Sequence, residues 1–208
     1  AAGATDVGTV TANGFVLGSQ AVVISASTVF EGGVAADIVT GSKLEAEGPI
    51  SNGVLNAVKV SFRDNLRFEA DVASGDAGAG TLTLAGLPGI TVQVNALTEL
   101  KDVGSLAALA APNHLRIKAR PGANGSILAL ELELREPGGD SRVILQGPVD
   151  NDASGNTLTI LGIGVDTGGI SQFRNLADAA IDRATFLAAA TAGTLVKVRG
   201  DRSGGGVA

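Results

Sequence analysis

The chain has 208 residues and a mass of 20.5 kDa; 45% of it is hydrophobic and 17% charged, enough apolar material for a packed core. Cys, Met, Tyr and Trp are absent and His occurs once, which excludes thiol chemistry, disulfides, Cys-bearing zinc sites and two-histidine metal sites within one chain. A net charge of −6 with no basic segment excludes the electrostatic footprint of nucleic-acid binding, and no apolar run approaches the ~20 residues of a membrane span.

Three copies of one unit run along the chain. Each opens with a strand carrying a matched pair, Gly8-x-Val10, Ala70-x-Val72 and Gly147-x-Val149. A second strand follows at Gly14–Leu17, Thr81–Leu84 and Thr157–Ile160. The third lies at Ala21–Ser25 and Ile90–Val94, and in the last copy at the glycine-broken Ile163-Gly164-Val165. Each third strand leads to a hydroxyl-x-apolar triplet, Thr28-Val29-Phe30, Thr98-Glu99-Leu100 and Ser171-Gln172-Phe173.

Helical segments are expected next. Val34–Thr40 closes on Gly41, Val103–Ala111 is stopped by Pro112, and Leu176–Ala192 closes on Gly193. The fourth strand alternates cleanly at Lys43–Glu47, Leu115–Ala119 and Val196–Arg199. Turn residues that tolerate positive φ come next, Asn52-Gly53, Asn124-Gly125 and Gly204-Gly205, and then a fifth strand at Val54–Phe62 and Ile127–Leu134. The third copy reaches only Gly204, Gly205, Gly206, Val207 and Ala208 and lacks most of that strand.

The order β-β-β-α-β-β predicts a mainly β protein of three tandem five-stranded OB-like barrels, 1–64, 65–137 and 138–208. The junctions fall near Asp64-Asn65 and Pro137–Asp140, the first with no flexible linker, so neighbouring barrels should stack tightly. Alternation places Val10, Leu17, Val22, Ile24, Leu44, Val58, Val60 and Phe62 in the first core. The second core takes Leu82, Leu84, Ile90, Val92, Val94, Leu115, Ile117, Leu128, Leu130 and Leu132, with Glu131 and Glu133 on a solvated outer face.

Gly8–Ala12, Ser27–Gly33 and Gly41–Gly48 resemble a bacterial family classed as a domain of unknown function, whose members are exported tandem repeats. The likeness is closest over residues 6–62; the second copy has Leu100 where the family has Phe, and the third interrupts its third strand with Gly164, Gly168 and Gly169. The resemblance implies a small β-barrel and an extracytoplasmic address, and brings no catalytic residues. The small-residue start Ala1–Ala4 reads like the product of signal-peptide cleavage, which points to the cell surface or extracellular space, alternatively the periplasm.

Chemistry-bearing residues are few. His114 sits in the Pro112-Asn113-His114 corner, a cap more than a base. Asp150, Asp152 and Ser154 match the opening of a calcium loop, yet Leu161 stands where the bidentate Glu belongs, so a hairpin turn is the stronger reading. Gly75–Gly80 lacks the following helix that a phosphate cradle needs. Arg199-Gly200-Asp201 reads as turn chemistry and not as an adhesion tripeptide. No metal, nucleotide or redox cofactor is expected, and no acid–base pair supports an enzyme. The reading favoured is a self-associating structural protein of the surface or of a filament, with a polysaccharide-binding module as the alternative. Its third barrel, open at Gly204, Gly205, Gly206, Val207 and Ala208, would receive a strand from another copy, and the donor expected is Ala1, Ala2, Gly3, Ala4 and Thr5 with the residues up to Val7.

Overall fold

The computed structural model describes residues 2–135, 142–203 and 206–207. Repeat 1 comprises β1 (Ala2–Thr11), β2 (Gly14–Leu17), β3 (Gln20–Val23), β4 (Val29–Glu31), β5 (Lys43–Glu47), β6 (Ile50–Ser51), β7 (Val54–Asn56) and β8 (Lys59–Arg63). Repeat 2 comprises β9 (Leu66–Asp76), β10 (Thr81–Leu84), β11 (Thr91–Gln93), β12 (Glu99–Lys101), β13 (His114–Pro121) and β14 (Ile127–Arg135). Repeat 3 comprises β15 (Arg142–Ser154), β16 (Thr157–Ile160), β17 (Ile163–Asp166), β18 (Phe173–Arg174), β19 (Ala180–Ile181), α1 (Arg183–Ala189), β20 (Leu195–Ser203) and β21 (Gly206–Val207).

In repeat 1 the pairings β1·β2, β2·β3, β3·β7, β8·β5 and β5·β1 return to their start, with β3·β7 parallel and the others antiparallel. The fifth strand of the sequence is thus β7 followed by β8, and it closes a five-stranded barrel. Repeat 2 closes likewise through β11·β14 and β14·β13. The protein is mainly β, as the alternation predicts. Asn52-Gly53 and Asn124-Gly125 hold the positive φ that their hairpins need, at 50° and 78° and at 56° and 73°. Gly204-Gly205 and the Pro137–Asp140 junction lie outside the described residues.

The helical expectation fails in the first two repeats. Only single 3₁₀ turns form, Ala35–Asp37 and Leu106–Ala108, because the segments are too short to bury a helical face of their own. In repeat 3 the helix is Arg183–Ala189, capped by the Asp182 carboxylate on the Thr185 N–H, while residues 173–181 form the β18·β19 hairpin.

The core departs from strict alternation at two bulges. Between Val7 and Val10, β1 carries one residue more than β2, so Val7 turns inward at 2% exposure and Val10 outward at 42%. The partners Thr5↔Leu44, Ala70↔Leu115 and Gly147↔Val196 make Thr5-Asp6-Val7 the counterpart of Ala70-Asp71-Val72 and Gly147-Pro148-Val149, three residues before the Gly8-x-Val10 match. The second irregularity breaks the closing strand. Val58 is 58% exposed between β7 and β8, and an extra residue at Leu130 interrupts the β13·β14 register. Leu130 is only partly buried and lies beside Gly32 of repeat 1, so it serves the junction and not the barrel core. Leu17, Val22, Leu44, Val60 and Phe62 are buried as expected, joined by Phe15, Leu55 and Ala57. In repeat 2 Leu82, Leu84, Ile90, Val92, Leu115, Ile117, Leu128 and Leu132 are buried, while Ile24 of repeat 1 and Val94 are half-buried at the edge of their cores.

Neighbouring repeats meet closely, and differently. Between repeats 1 and 2 the Arg120 side chain is 1% exposed, donates to the Gly32 carbonyl (3.1 Å) and to Asp37 Oδ2 (2.7 Å), and stacks 4.3 Å from the Phe62 ring centroid. Asn65 touches all three repeats. Its amide donates to Gly41 O at 2.7 Å, its backbone N–H to Ala119 O at 3.2 Å, and its carbonyl accepts from Gln146 Nε2 at 3.2 Å. Repeats 2 and 3 share one sheet, because their first strands pair edge to edge with Phe68 opposite Leu145. These two residues occupy equivalent positions, so a local two-fold axis passes between them. Their cores merge, whereas the core of repeat 1 stays separate.

Gly48 marks where the chain leaves β5 and folds over its own barrel. A Cβ there would fall inside the van der Waals radius of the Asn56 carbonyl oxygen, a backbone atom that cannot step aside. Gly48→Ala is expected to destabilise the protein by about 1–3 kcal/mol, the usual range for overpacking, measured by urea denaturation.

Candidate functional site

Successive side chains of a strand point to opposite faces. The fourth strand of each repeat therefore presents two outward positions, Glu45 and Glu47 on β5, Arg116 and Lys118 on β13, and Lys197 and Arg199 on β20. The shared register of Leu44, Leu115 and Val196 places these pairs at equivalent points.

In repeats 1 and 2 the closing strand carries the opposite charge. Glu45 pairs with Arg63, while Glu47 lies directly across from Lys59. In repeat 2 Lys118 Nζ lies 3.0 Å from Glu131 Oε1, and Arg116 Nη1 3.4 Å from Glu133 Oε2. The short strand on the other flank of the closing strand adds one counter-charge, although β12 also carries Glu99, in register with Glu131 and 3.7 Å from Lys101. Glu31 of β4 reaches Lys59 at 2.9 Å, and Lys101 of β12 reaches Glu131 at 2.6 Å. Each closing strand thus meets a counter-charge on both of its flanks.

Glu131 was expected on a solvated face. It does point outward, yet it is only 7% exposed, covered by the two lysines. Burial pushes its carboxyl up, but the hydrogen bonds from Lys101 and Lys118 outweigh this and hold it below the ordinary value, while the Glu131 bond raises Lys101. Glu31 is lowered and Lys59 raised through their mutual hydrogen bond. A carboxyl whose folded pKa is depressed adds stability above its unfolded value, near 4.5, and that stability is lost as pH falls through the folded value. Glu131→Gln is therefore expected to reduce stability at pH 7 and to flatten the decline between about pH 5 and pH 3, read from melting temperatures across that range.

The hydroxyl triplets serve the same strand. Thr28 Oγ1 donates to Ala57 O at 2.7 Å and Thr98 Oγ1 to Ala129 O at 2.8 Å, both at the kink of the closing strand.

Repeat 3 has these receiving groups without the strand they receive. β21 pairs in parallel with β17 and meets β20 at Arg202 and Ser203, which puts Val207 at the place of Ile127. Over residues 195–201, β20 is paired with β15 on one edge, and among the described residues no strand occupies the other. β18 folds back on β19 instead. Lys197 and Arg199 are exposed and form no ion pair among the described residues. Ser171, two residues before Phe173 as Thr28 is before Phe30, is exposed, and its hydroxyl holds no hydrogen bond among the described residues. Arg174, next to Phe173 as Lys101 is next to Leu100, rests on the Asp178 carbonyl at 2.8 Å.

The other sequence candidates are placed as follows. Asp150 and Asp152 lie on β15; Asp150 accepts from the Leu161 and Gly162 N–H groups at 3.0 and 2.6 Å, and Asp152 from Ala192 N–H at 3.0 Å. Ser154 ends the strand, and the turn is Gly155-Asn156. Among the described residues no three His, Asp or Glu come together to hold a metal ion. His114 opens β13, 6% exposed, with Nδ1 2.8 Å from Asp71 Oδ1 and Nε2 3.7 Å from Glu69. Arg199-Gly200-Asp201 is part of the extended strand β20 and not of a turn. Ala2–Thr5 belong to β1 and pair with β5 of their own barrel. Ala1, Gly204, Gly205 and Ala208 lie outside the described residues, while Gly206 and Val207 form β21.

Fold and site define a tandem array of three small β repeats, two closed as barrels and the third with one edge of β20 unpaired among the described residues. The chain belongs to the family described as Domain of unknown function (DUF5666), whose model matches residues 6–61, 71–133 and 146–208. No curated protein and no solved structure matches it.

Proposed function

We propose that the protein is a non-enzymatic, extracytoplasmic structural subunit that builds surface or filamentous assemblies by β-strand addition at repeat 3. The observation that carries this reading is the edge of β20 over residues 195–201, which no strand pairs among the described residues, in a molecule whose other two repeats fill the same place. A strand received there from another copy joins subunits head to tail, and such a contact grows into a filament where the rotation does not close. A donor at Ala2–Thr5 must first leave β5, as in domain swapping. Address and export rest on the family resemblance. Sedimentation and electron microscopy of the purified protein over a range of concentrations test the reading. Concentration-dependent polymers are expected; a strict monomer that retains polysaccharide would favour a binding module instead.

A further inference from the structure

The two closed repeats share one charge rule. Where the fourth strand and its flanking short strand are acidic, as with Glu45, Glu47 and Glu31, the closing strand is basic, with Lys59 and Arg63. Where the fourth strand is basic, as with Arg116 and Lys118, the closing strand is acidic, with Glu131 and Glu133; Lys101 of the short strand adds a third cation beside Glu99. Repeat 3 presents Lys197 and Arg199 at the fourth-strand places, both basic, while Arg174, which follows Phe173 as Lys101 follows Leu100, is held by Asp178 in the β18·β19 hairpin. On its paired side Lys197 faces the neutral Gln146 and Arg199 faces Ile144, so β15 offers neither a counter-charge.

We infer that the open edge of repeat 3 binds an extended segment of a partner polypeptide with two carboxylates two residues apart, alternating with apolar side chains. This rests on the strand-addition reading above and names the chemistry of the strand. The segment runs antiparallel to β20, with one carboxylate opposite Arg199, as Glu131 stands opposite Lys118, and the next opposite Lys197, as Glu133 stands opposite Arg116. Its apolar residues enter the barrel as Leu132 does, and a carbonyl near its start accepts from Ser171 as Ala129 accepts from Thr98. Ala1–Thr5 carry no carboxylate and Asp6 stands alone, so the N-terminal stretch does not supply this pattern.

The test uses the intact 208-residue protein and two labelled peptides. One has the sequence of residues 127–135, Ile-Leu-Ala-Leu-Glu-Leu-Glu-Leu-Arg; the other has Lys in place of both glutamates. Fluorescence anisotropy is expected to show the acidic peptide binding about tenfold or more tighter, with a preference that shrinks as salt rises. In the double variant Lys197→Glu, Arg199→Glu the preference should invert. Circular dichroism of the variant establishes that it is folded, and the inversion is a gain that misfolding cannot imitate. Equal binding of both peptides would overturn the acidic rule and leave strand addition standing. Binding of neither, with no slowing of hydrogen exchange along β20, would overturn both.

Discussion

Replacing Arg120 with Ala is expected to loosen repeat 1 from the rest of the molecule. The guanidinium is buried, ion-paired to Asp37 across 83 residues of sequence, hydrogen-bonded to the Gly32 carbonyl and stacked on Phe62. Its removal leaves the Asp37 carboxylate, half-buried, with the Val34 N–H as its partner, and takes the guanidinium donor from the Gly32 carbonyl. Breaking a buried pair from one side costs about 3–5 kcal/mol. Because the repeat 1 core is separate from the merged core of repeats 2 and 3, that loss should appear as a second, lower transition in calorimetry. Arg120→Lys keeps the charge but not the planar fork that serves three partners at once, and should recover only part of the stability. A single unshifted transition for Arg120→Ala would show that the repeats are held together elsewhere.

Phe68→Ala acts at the other junction. Phe68 is fully buried, with Ile117 across one strand edge and Leu145 across the other, at the local two-fold between repeats 2 and 3. Truncating a buried Phe costs about 3–5 kcal/mol, through lost transfer energy and the cavity left behind. The effect should spread through both repeats and lower one shared transition, the opposite signature to Arg120→Ala. Hydrogen exchange should likewise quicken in both β13 and β20.

Much of this architecture can be read from the residues. Lys43–Glu47 and Leu115–Ala119 alternate so regularly that their inward faces follow from period alone, and Asn52-Gly53 and Asn124-Gly125 announce their turns. What could not be read depends on partners distant in sequence. The bulge after Val7 exists because β1 and β2 differ by one residue between pairings, and one residue exchanges Val10 for Val7 in the core. Val58 and Leu130 leave the alternation at the closing-strand kink, which the Thr28 and Thr98 hydroxyls fix from another strand. Gly41 and Pro112 end Val34–Thr40 and Val103–Ala111 as they would end a helix, but each segment forms only one 3₁₀ turn. No local signal marks Arg120 or Asn65, whose partners lie in other repeats.

The outward set of Lys197 and Arg199 was legible, since Val196–Arg199 alternates. The charge rule was not, because it emerges only when register brings Glu131 opposite Lys118 and Lys59 opposite Glu47. It explains why the closing strands of repeats 1 and 2 have unlike sequences while filling like places. Each is fitted to its own barrel and would meet like charges in the other.

The open edge of β20 is the centre of this account, and filling it within one chain tests it most directly. Val207 holds the place of Ile127, so a second copy of residues 129–135 appended after Ala208 continues the closing strand in register. Sedimentation of the extended protein beside the original decides the matter. The account predicts that the original assembles while the extended protein stays monomeric, melts higher and protects the β20 amides from exchange. Assembly of the extended protein equal to that of the original, with β20 exchanging as before, would contradict it.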